Sequence, residues 1–154
     1  MTLGRAGTTF IAATFLLVVP SLAHAQLPNS LVTSGAKTKA TETQLCSADY
    51  EASVPEISKR ERSEVLSRYG RRDDFQGPLD HLIPVTLGGS NDPDNLWPMP
   101  DNKEYGIAAK NELEEKLHTM VCGKQLPLKT AQDAIRKNWV KAYDQYVKGT
   151  NNTK

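Results

Sequence analysis

Apolar side chains recur every three or four residues in three stretches of this chain, which predicts three amphipathic helices. The first stretch spans residues 55–70, the second residues 102–121 and the third residues 129–147. A glycine stands at or just past the end of each, where glycine commonly ends a helix. The three apolar stripes are Ile57, Val65, Leu66 and Tyr69; Ile107, Leu113, Leu117, Met120 and Val121; and Ala131, Ile135, Trp139, Ala142, Tyr143 and Tyr146.

A different pattern separates the first two helices. Leu79 to Leu87 is short, apolar and β-branched in places, and glycines flank it on both sides, so it is predicted to be a strand or one arm of a hairpin. Asn95 to Trp97 can form the returning arm, because nearby prolines limit its length. The expected fold class is therefore α+β, with a small hairpin in a mostly helical domain.

The first 25 residues are expected to be a secretory signal peptide. Arg5 is the only charge there, an apolar run from Phe10 to Val19 follows, and Ala23-His24-Ala25 has the small-residue pattern of a cleavage site. A retained N-terminal anchor is the alternative, but the run is short for a transmembrane span. We expect cleavage before Gln26, and a periplasmic or secreted product without a stable membrane anchor.

The rest of the chain has the length of one domain. Residues 26–43 are rich in Ser, Thr, Lys and Ala and are predicted to be a flexible N-terminal tail. The folded domain is expected to span residues 44–149, and residues 150–154 to form a C-terminal tail.

Two cysteines, Cys46 and Cys122, remain after the predicted signal peptide. An even number of cysteines in an oxidising compartment favours a disulfide, which here would close a long loop and stabilise the fold by roughly 4 kcal/mol. Two unpaired buried thiols are the alternative.

Charge indicates a nucleic-acid partner only locally. The formal net charge is +1, and it falls to zero without Arg5. A basic patch lies on and just after the first helix, and acidic residues lie close by. It is either a solvated face or a surface that contacts phosphates. The candidate phosphate contacts are Arg60, Arg68, Arg71 and Arg72.

The segment LDHLIPVTLGGSNDPDNLWP carries the most specific pattern in the chain. Asp80-His81 comes first, then a turn rich in Gly, Ser, Asn and Asp, then Asn95-Leu96 and a helix. In residue types, turn chemistry and order of elements it resembles the HNH, or ββα-metal, nucleases. The resemblance extends over residues 46–149, to a subgroup of small secreted HNH-like proteins.

The resemblance implies a metal-dependent phosphodiesterase. His81 would be the general base, since an imidazole can accept a proton from water at neutral pH. Asp80 would be a metal ligand, and Asn95 would hold the loop and orient His81 through hydrogen bonds. A divalent ion held by oxygen ligands, Mg²⁺ or Mn²⁺, would clamp the phosphate and the leaving oxygen. The substrate is expected to be nucleic acid, DNA rather than RNA.

This chain departs from the family pattern at the third ligand. It has no histidine near the start of the second helix and no CxxC pair, so the disulfide and the final helices are expected to supply rigidity that zinc gives elsewhere. Glu114 is preferred because it lies on the inward stripe with Lys110, with which it can form an ion pair at i,i+4. The candidate ligands are Asn102, Glu104, Asn111 and Glu114.

The sequence allows two functions, which belong to different classes of protein. One is an exported, metal-dependent nuclease of low sequence specificity. The other is a non-catalytic secreted domain that keeps the HNH-like frame for structure or partner binding, which the near-zero charge and the missing histidine favour. A purely structural hairpin does not need Asp80, His81 and Asn95 together. The remaining histidine, His118, is predicted to lie at the surface, so a zinc enzyme using both histidines is not supported.

Overall fold

A computed structural model describes residues 27–72, 74–99 and 104–150 of the chain. The predicted signal peptide, the candidate ligand Asn102 and most of the predicted C-terminal tail lie outside these residues. No helix among the described residues is long and apolar enough to cross a membrane.

Helices and one small sheet make up the described residues, which confirms the predicted α+β class. Two helices of a single turn precede a longer one, and two long helices follow the sheet. The helices are α1 (Glu42–Leu45), α2 (Tyr50–Ser53), α3 (Lys59–Arg68), α4 (Ile107–Cys122) and α5 (Leu128–Tyr146), and the strands are β1 (Leu79–His81) and β2 (Leu96–Pro98). Two short 3₁₀ turns, Val85–Leu87 and Pro93–Asn95, lie between the strands.

The strands form an antiparallel hairpin in which Asp80 lies opposite Trp97 and His81 opposite Leu96. The strand predicted over residues 79–87 is wrong beyond His81. Pro84 has no N–H to donate to a ladder, and the chain enters the 3₁₀ turn directly after it. The apolar residues of this stretch are buried against the helices, so burial rather than strand pairing explains the hydrophobic run.

Helix α3 begins later than the predicted residue 55, because the chain has a better start signal at Ser58. The Ser58 side chain accepts a hydrogen bond from the backbone N–H of Glu61, and the Glu61 carboxylate accepts one from the backbone N–H of Ser58. This capping box satisfies two of the N–H groups that a helix start leaves without partners. It therefore places the helix start after Pro55 and Ile57 instead of at them.

Helices α4 and α5 pack against each other and against the hairpin loop to form the core. Their predicted stripes are largely buried, and α5 agrees with its predicted bounds to within a residue. Helix α4 begins at Ile107 instead of residue 102. The core is completed by buried side chains of the hairpin and loop, which are Leu82, Ile83, Leu87, Trp97 and Met99.

Residues 27–43 do not form the flexible tail that the sequence predicts. The backbone N–H of Gly35 donates to the carbonyl of Asp94 at 2.8 Å, and the N–H of Thr38 donates to the carbonyl of Gly88 at 2.8 Å. Thr33 is buried, and its hydroxyl donates to the carbonyl of Leu96 at 3.0 Å. Backbone hydrogen bonds hold this segment in place although its polar composition is typical of disorder.

The predicted disulfide between Cys46 and Cys122 is confirmed. It joins the residue that follows α1 to the last residue of α4, with 5.6 Å between the two Cα atoms. The bond is compatible with an extracellular location.

Candidate functional site

Strand β1, the loop that follows it within the hairpin, α2 and α4 surround a cleft of about 470 Å³. It brings together several of the residues that the sequence singles out, and four of its side chains are carboxylates. The lining residues are Glu51, Asp80, His81, Pro84, Val85, Thr86, Asn111, Glu114, Glu115 and His118.

The Asp80 side chain is held by two donors on the same oxygen. Its Oδ2 accepts a hydrogen bond from the indole Nε1 of Trp97 at 3.0 Å and lies 2.8 Å from Nζ of Lys110. Trp97 is the partner of Asp80 in the strand register, so the pairing of β1 with β2 places this donor. Because both contacts use Oδ2, Oδ1 is the oxygen through which Asp80 would bind a metal.

Lys110 is completely buried, and its ammonium group lies among three oxygen atoms. Besides Asp80 Oδ2, it contacts Glu114 Oε1 and donates to the backbone carbonyl of His81 at 2.6 Å. Burial lowers the pKa of Lys110, but the carboxylates of Asp80 and Glu114 outweigh burial and raise the pKa above its ordinary value. The lysine is therefore a buried cation that ties α4 to the Asp80-His81 strand.

Glu114 titrates near neutral pH. Burial raises its pKa to about 7; the Lys110 ammonium opposes this rise, and the negative charge of Asp80 adds to it. The predicted i,i+4 pair of Lys110 and Glu114 is confirmed, and Asp80 is a third member that the spacing within one helix does not reveal.

His81 has a defined tautomer because of its neighbour Asn91. Its Nε2 lies 2.8 Å from Asn91 Oδ1, and Asn91 Nδ2 donates to the carbonyl of Pro55 at 2.7 Å. The Pro55 carbonyl can only accept, which orients the Asn91 amide so that its oxygen faces the imidazole. We assign the Nε2 proton to this hydrogen bond, which leaves Nδ1 as the basic nitrogen.

Asn95 is fully buried and fixes the loop that follows His81. Its Oδ1 accepts from the N–H of Ile83 at 2.9 Å, and its Nδ2 donates to the carbonyls of Ile83 and Ser90, both at 2.9 Å. This is the loop-holding role that the resemblance implies. The hydrogen bond to the His81 ring comes from Asn91 instead, so Asn95 acts on His81 through the backbone.

Gly89 makes this loop possible. A Cβ atom at this position would lie 1.7 Å from the carbonyl oxygen of Ile83 and 2.7 Å from Nδ2 of Asn95. Gly88, just before it, has a φ of 85°, in the left-handed region that favours glycine. The Gly-Gly pair thus permits the close approach on which the Asn95 hydrogen bonds depend.

The other candidate ligands differ in whether they lie in the cleft. Asn111 lines the cleft together with Glu114. Glu104 is 71% exposed at its side chain and lies 3.8 Å from Lys148 Nζ, outside the cleft lining, so the sequence prediction for it is not supported. Asn102 lies outside the described residues.

His118 is not the outward surface residue that the sequence predicts. It is half-buried and lines the cleft with His81; its Nε2 lies 3.1 Å from the carbonyl oxygen of Leu45 and 3.3 Å from Cys122 Sγ. The missed signal is the spacing of Lys110, Glu114 and His118, which follow one another four residues apart and therefore share one face of α4.

The predicted phosphate-contacting arginines lie away from the cleft lining. Arg68 is neutralised, with Nη2 2.6 Å from Glu64 and Nη1 2.5 Å from Asp94. Arg71 lies over the ring of Phe75, and exposed Arg72 has its Nε 3.9 Å from Asp74. Arg60 is exposed. The patch is therefore partly a solvated face, with Arg68 already paired.

Comparisons of this chain with protein-family models, with curated proteins and with solved structures found no match. The case for a function therefore depends on the residues of the cleft.

Proposed function

We propose that the protein is an exported, metal-dependent nuclease that hydrolyses phosphodiester bonds in nucleic acid with low sequence specificity. The observation that carries this proposal is the cleft itself, which Asp80 and His81 of β1 line together with Glu114 of α4. His81 with a basic Nδ1 lines the same cleft as four carboxylates, and a base beside possible metal ligands is the combination that hydrolysis of a phosphodiester uses.

The donors of the cleft fit a hard divalent cation. Asp80 and Glu114 supply carboxylate oxygens, and Asn111 supplies an amide oxygen. Mg²⁺ and Mn²⁺ prefer such oxygen-rich sites. When bound, the ion would supply positive charge for the phosphate and for the leaving oxygen.

The charge of the cleft supports the need for a cation. Four carboxyl groups line it, and Lys110 is the buried ammonium in contact with two of them. Such a surface repels a phosphodiester by itself, because like charges in a partly buried site are weakly screened. Nucleic acid would therefore enter this cleft together with a metal ion.

His81 would accept the proton of the attacking water at Nδ1. Asn91 holds the opposite ring nitrogen, so the imidazole cannot turn without breaking the hydrogen bond to Asn91. Arg68 is already paired with two carboxylates, so Arg60, Arg71 and Arg72 are the members of the basic patch that would contact the phosphate backbone of DNA. Contacts to phosphates more than to bases would give low sequence specificity.

A second function, the non-catalytic secreted domain, is favoured by Lys110. Its ammonium already neutralises part of the charge on Asp80 and Glu114, so the carboxylates have a structural explanation without a metal. In this alternative the acidic cleft would bind a partner. Neither Mn²⁺ binding nor cleavage of nucleic acid would then be observed.

The test compares the oxidised chain without residues 1–25 with its His81→Ala and Glu114→Gln variants. Each is incubated with supercoiled plasmid, and separately with RNA, in Mg²⁺ or Mn²⁺ and in EDTA. Glu104→Gln is the matched control, because it removes a carboxylate outside the cleft. We expect metal-dependent cleavage that His81→Ala abolishes and Glu104→Gln retains. A His81→Ala protein that cuts as fast as the unsubstituted chain would overturn the proposal.

Metal binding separates the two functions. Calorimetric titration with Mn²⁺ should show one binding site that is lost in Asp80→Asn. The amide oxygen of this variant can still accept the hydrogen bond from Trp97. A folded protein that neither binds Mn²⁺ nor cuts DNA or RNA would support the non-catalytic domain.

A further inference from the structure

A second cluster of metal-binding side chains lies at the far end of α4. A ring nitrogen of His118 and Sγ of Cys46 and Cys122 all lie within 4.8 Å of one another, and all three residues are half-buried. His118 and Cys122 are one helical turn apart on the same face of α4, and the disulfide brings Cys46 to them. The cluster thus combines one imidazole with two sulfur atoms.

The cluster cannot bind a metal while the disulfide is intact. Thiolates, not disulfide sulfurs, are the metal ligands that cysteine provides. In this state the His118 Nε2 is in contact with the carbonyl oxygen of Leu45, 3.1 Å away. Metal binding at these residues therefore depends on the redox state of the two cysteines.

We propose that Cys46, Cys122 and His118 form a site for Zn²⁺ when the disulfide is reduced. A dithiol reductant supplies two electrons and two protons, breaks the S–S bond and becomes a disulfide itself. Zn²⁺ then displaces one proton from each thiol and binds two thiolates and one neutral imidazole. A thiolate and imidazole set suits Zn²⁺, whereas Mg²⁺ and Mn²⁺ prefer oxygen. The site is thus chemically distinct from the cleft and does not depend on the nuclease proposal.

The distances fit a tetrahedral zinc ion. Zn–S bonds of about 2.3 Å and Zn–N bonds of about 2.0 Å place sulfur and nitrogen ligands roughly 3.5 Å apart. His118 Nε2 is already 3.3 Å from Cys122 Sγ. Cys46 follows the short helix α1, so its sulfur can separate from that of Cys122 without movement of α4. Three protein ligands leave a fourth position for water.

Bound zinc and the disulfide exclude each other, because both use the same two sulfur atoms. The cluster would therefore be a covalent cross-link in oxidising surroundings and a zinc site in reducing ones. Zinc bound before oxidation would keep the thiols from pairing.

The experiment uses the chain without residues 1–25, reduced with a phosphine that does not compete strongly for zinc. Zn²⁺ affinity is measured against a chelating dye, and Co²⁺ replaces Zn²⁺ to reveal thiolate coordination by its charge-transfer absorption. We expect one Zn²⁺ per chain with two thiolates, no binding at this cluster in the oxidised protein, and slower reoxidation when zinc is present. Cys46→Ser/Cys122→Ser removes both sulfurs and should abolish thiolate coordination.

The variant His118→Ala keeps both thiols and should bind Zn²⁺ at least about tenfold more weakly. Loss of a residue that only hydrogen-bonds to a metal ligand already lowers metal affinity by about tenfold or more, and loss of the ligand itself should lower it further. Glu104→Gln, which removes an exposed carboxylate outside both the cleft and the cluster, should bind Zn²⁺ as the unsubstituted chain does. Near-ultraviolet circular dichroism reports the fold throughout; if reduction unfolds the chain, Zn²⁺ should restore the signal. Equal Zn²⁺ affinity in His118→Ala and the unsubstituted chain, or no thiolate coordination at all, would overturn the proposal.

Discussion

The ammonium of Lys110 lies 2.8 Å from Oδ2 of Asp80, between α4 and β1, and is completely removed from solvent. The contact joins α4 to the first strand of the hairpin, next to the residue proposed as general base. It also places a positive charge where a metal site would otherwise show only negative charge. The stability of the fold and the chemistry of the cleft therefore depend on the same side chain.

Replacing Lys110 with methionine should destabilise the protein strongly. The change keeps an unbranched side chain, one heavy atom shorter, but leaves the partly buried carboxylate of Asp80 without its counter-ion, at a cost of about 3–5 kcal/mol. Urea unfolding followed by circular dichroism measures this loss. Lys116→Met, at an exposed position of the same helix, is the control and should change the free energy of unfolding by less than about 0.5 kcal/mol. Equal effects of the two substitutions would contradict the role assigned to Lys110.

Asn95→Ala should also destabilise the fold, for a different reason. It removes three hydrogen bonds to the buried backbone of the loop, and the N–H of Ile83 loses its partner. Unsatisfied buried groups cost about 1–3 kcal/mol each, so a loss of about 3 kcal/mol in the free energy of unfolding is expected. Chemical denaturation gives the value, and a loss below about 1 kcal/mol would show that the loop does not need this side chain.

Asn91→Ala should affect the positioning of the His81 ring much more than the stability of the fold. Asn91 is half-buried at the edge of the cleft, and its oxygen holds the Nε2–H of His81. We expect cleavage of nucleic acid to fall by about tenfold or more, because the imidazole loses the partner that sets its tautomer. Thermal unfolding should change by only a few degrees. An unchanged cleavage rate would show that His81 is oriented by other contacts.

Gly89→Ala and Gly70→Ala compare two reasons for a glycine: a close approach to neighbouring backbone at Gly89 and a positive φ at Gly70. Gly70 has a φ of 62° and open space around it, so its alanine variant should cost only about 1 kcal/mol of backbone strain. At Gly89 the added Cβ would overlap the Ile83 carbonyl, so the loop must move and the Asn95 hydrogen bonds must break. Gly89→Ala should therefore lower the melting temperature far more than Gly70→Ala. Similar losses of melting temperature in the two variants would show that Gly89 does not need to lie so close to the Ile83 carbonyl.

The raised pKa of Glu114 predicts a specific dependence of stability on pH. The folded state binds this proton with a pKa of about 7, whereas the ordinary value is 4.5, so between these values the folded state holds more protons than the unfolded state. The free energy of unfolding should fall as the pH rises from about 4.5 to about 7, by up to roughly 3 kcal/mol, and this contribution should then level off. Glu114→Gln should remove this component. Parallel pH profiles for both proteins would contradict the assignment.

Local patterns explain what the sequence predicts correctly. Helix α5 is identified because an apolar stripe at 3.6-residue spacing needs no information from elsewhere. The sequence also places Asp80, His81 and Asn95 in one hairpin and its loop, and this placement is confirmed, while their catalytic roles stay predictions. The disulfide follows from the number of cysteines and the expected compartment, without any geometry.

Tertiary contacts explain what the sequence does not predict. Lys110 finds Glu114 by helical spacing, but its contact with Asp80 exists only because α4 packs against β1. His118 looks like a surface residue among glutamates until α1 and the disulfide cover it. The run after His81 looks like a strand because burial and strand pairing both select apolar residues, and Pro84 alone does not distinguish them.

If the chain is exported, the packing of residues 27–43 has a consequence for the order of events. The backbone N–H of Asn29 already bonds to the hydroxyl of Tyr69, so the folded body begins three residues after the expected cleavage point at Gln26. A peptidase needs several extended residues on either side of the bond that it cuts. If cleavage occurs there, we expect the peptidase to act before the segment docks on the hairpin loop, because docking restrains the chain from Asn29 onwards.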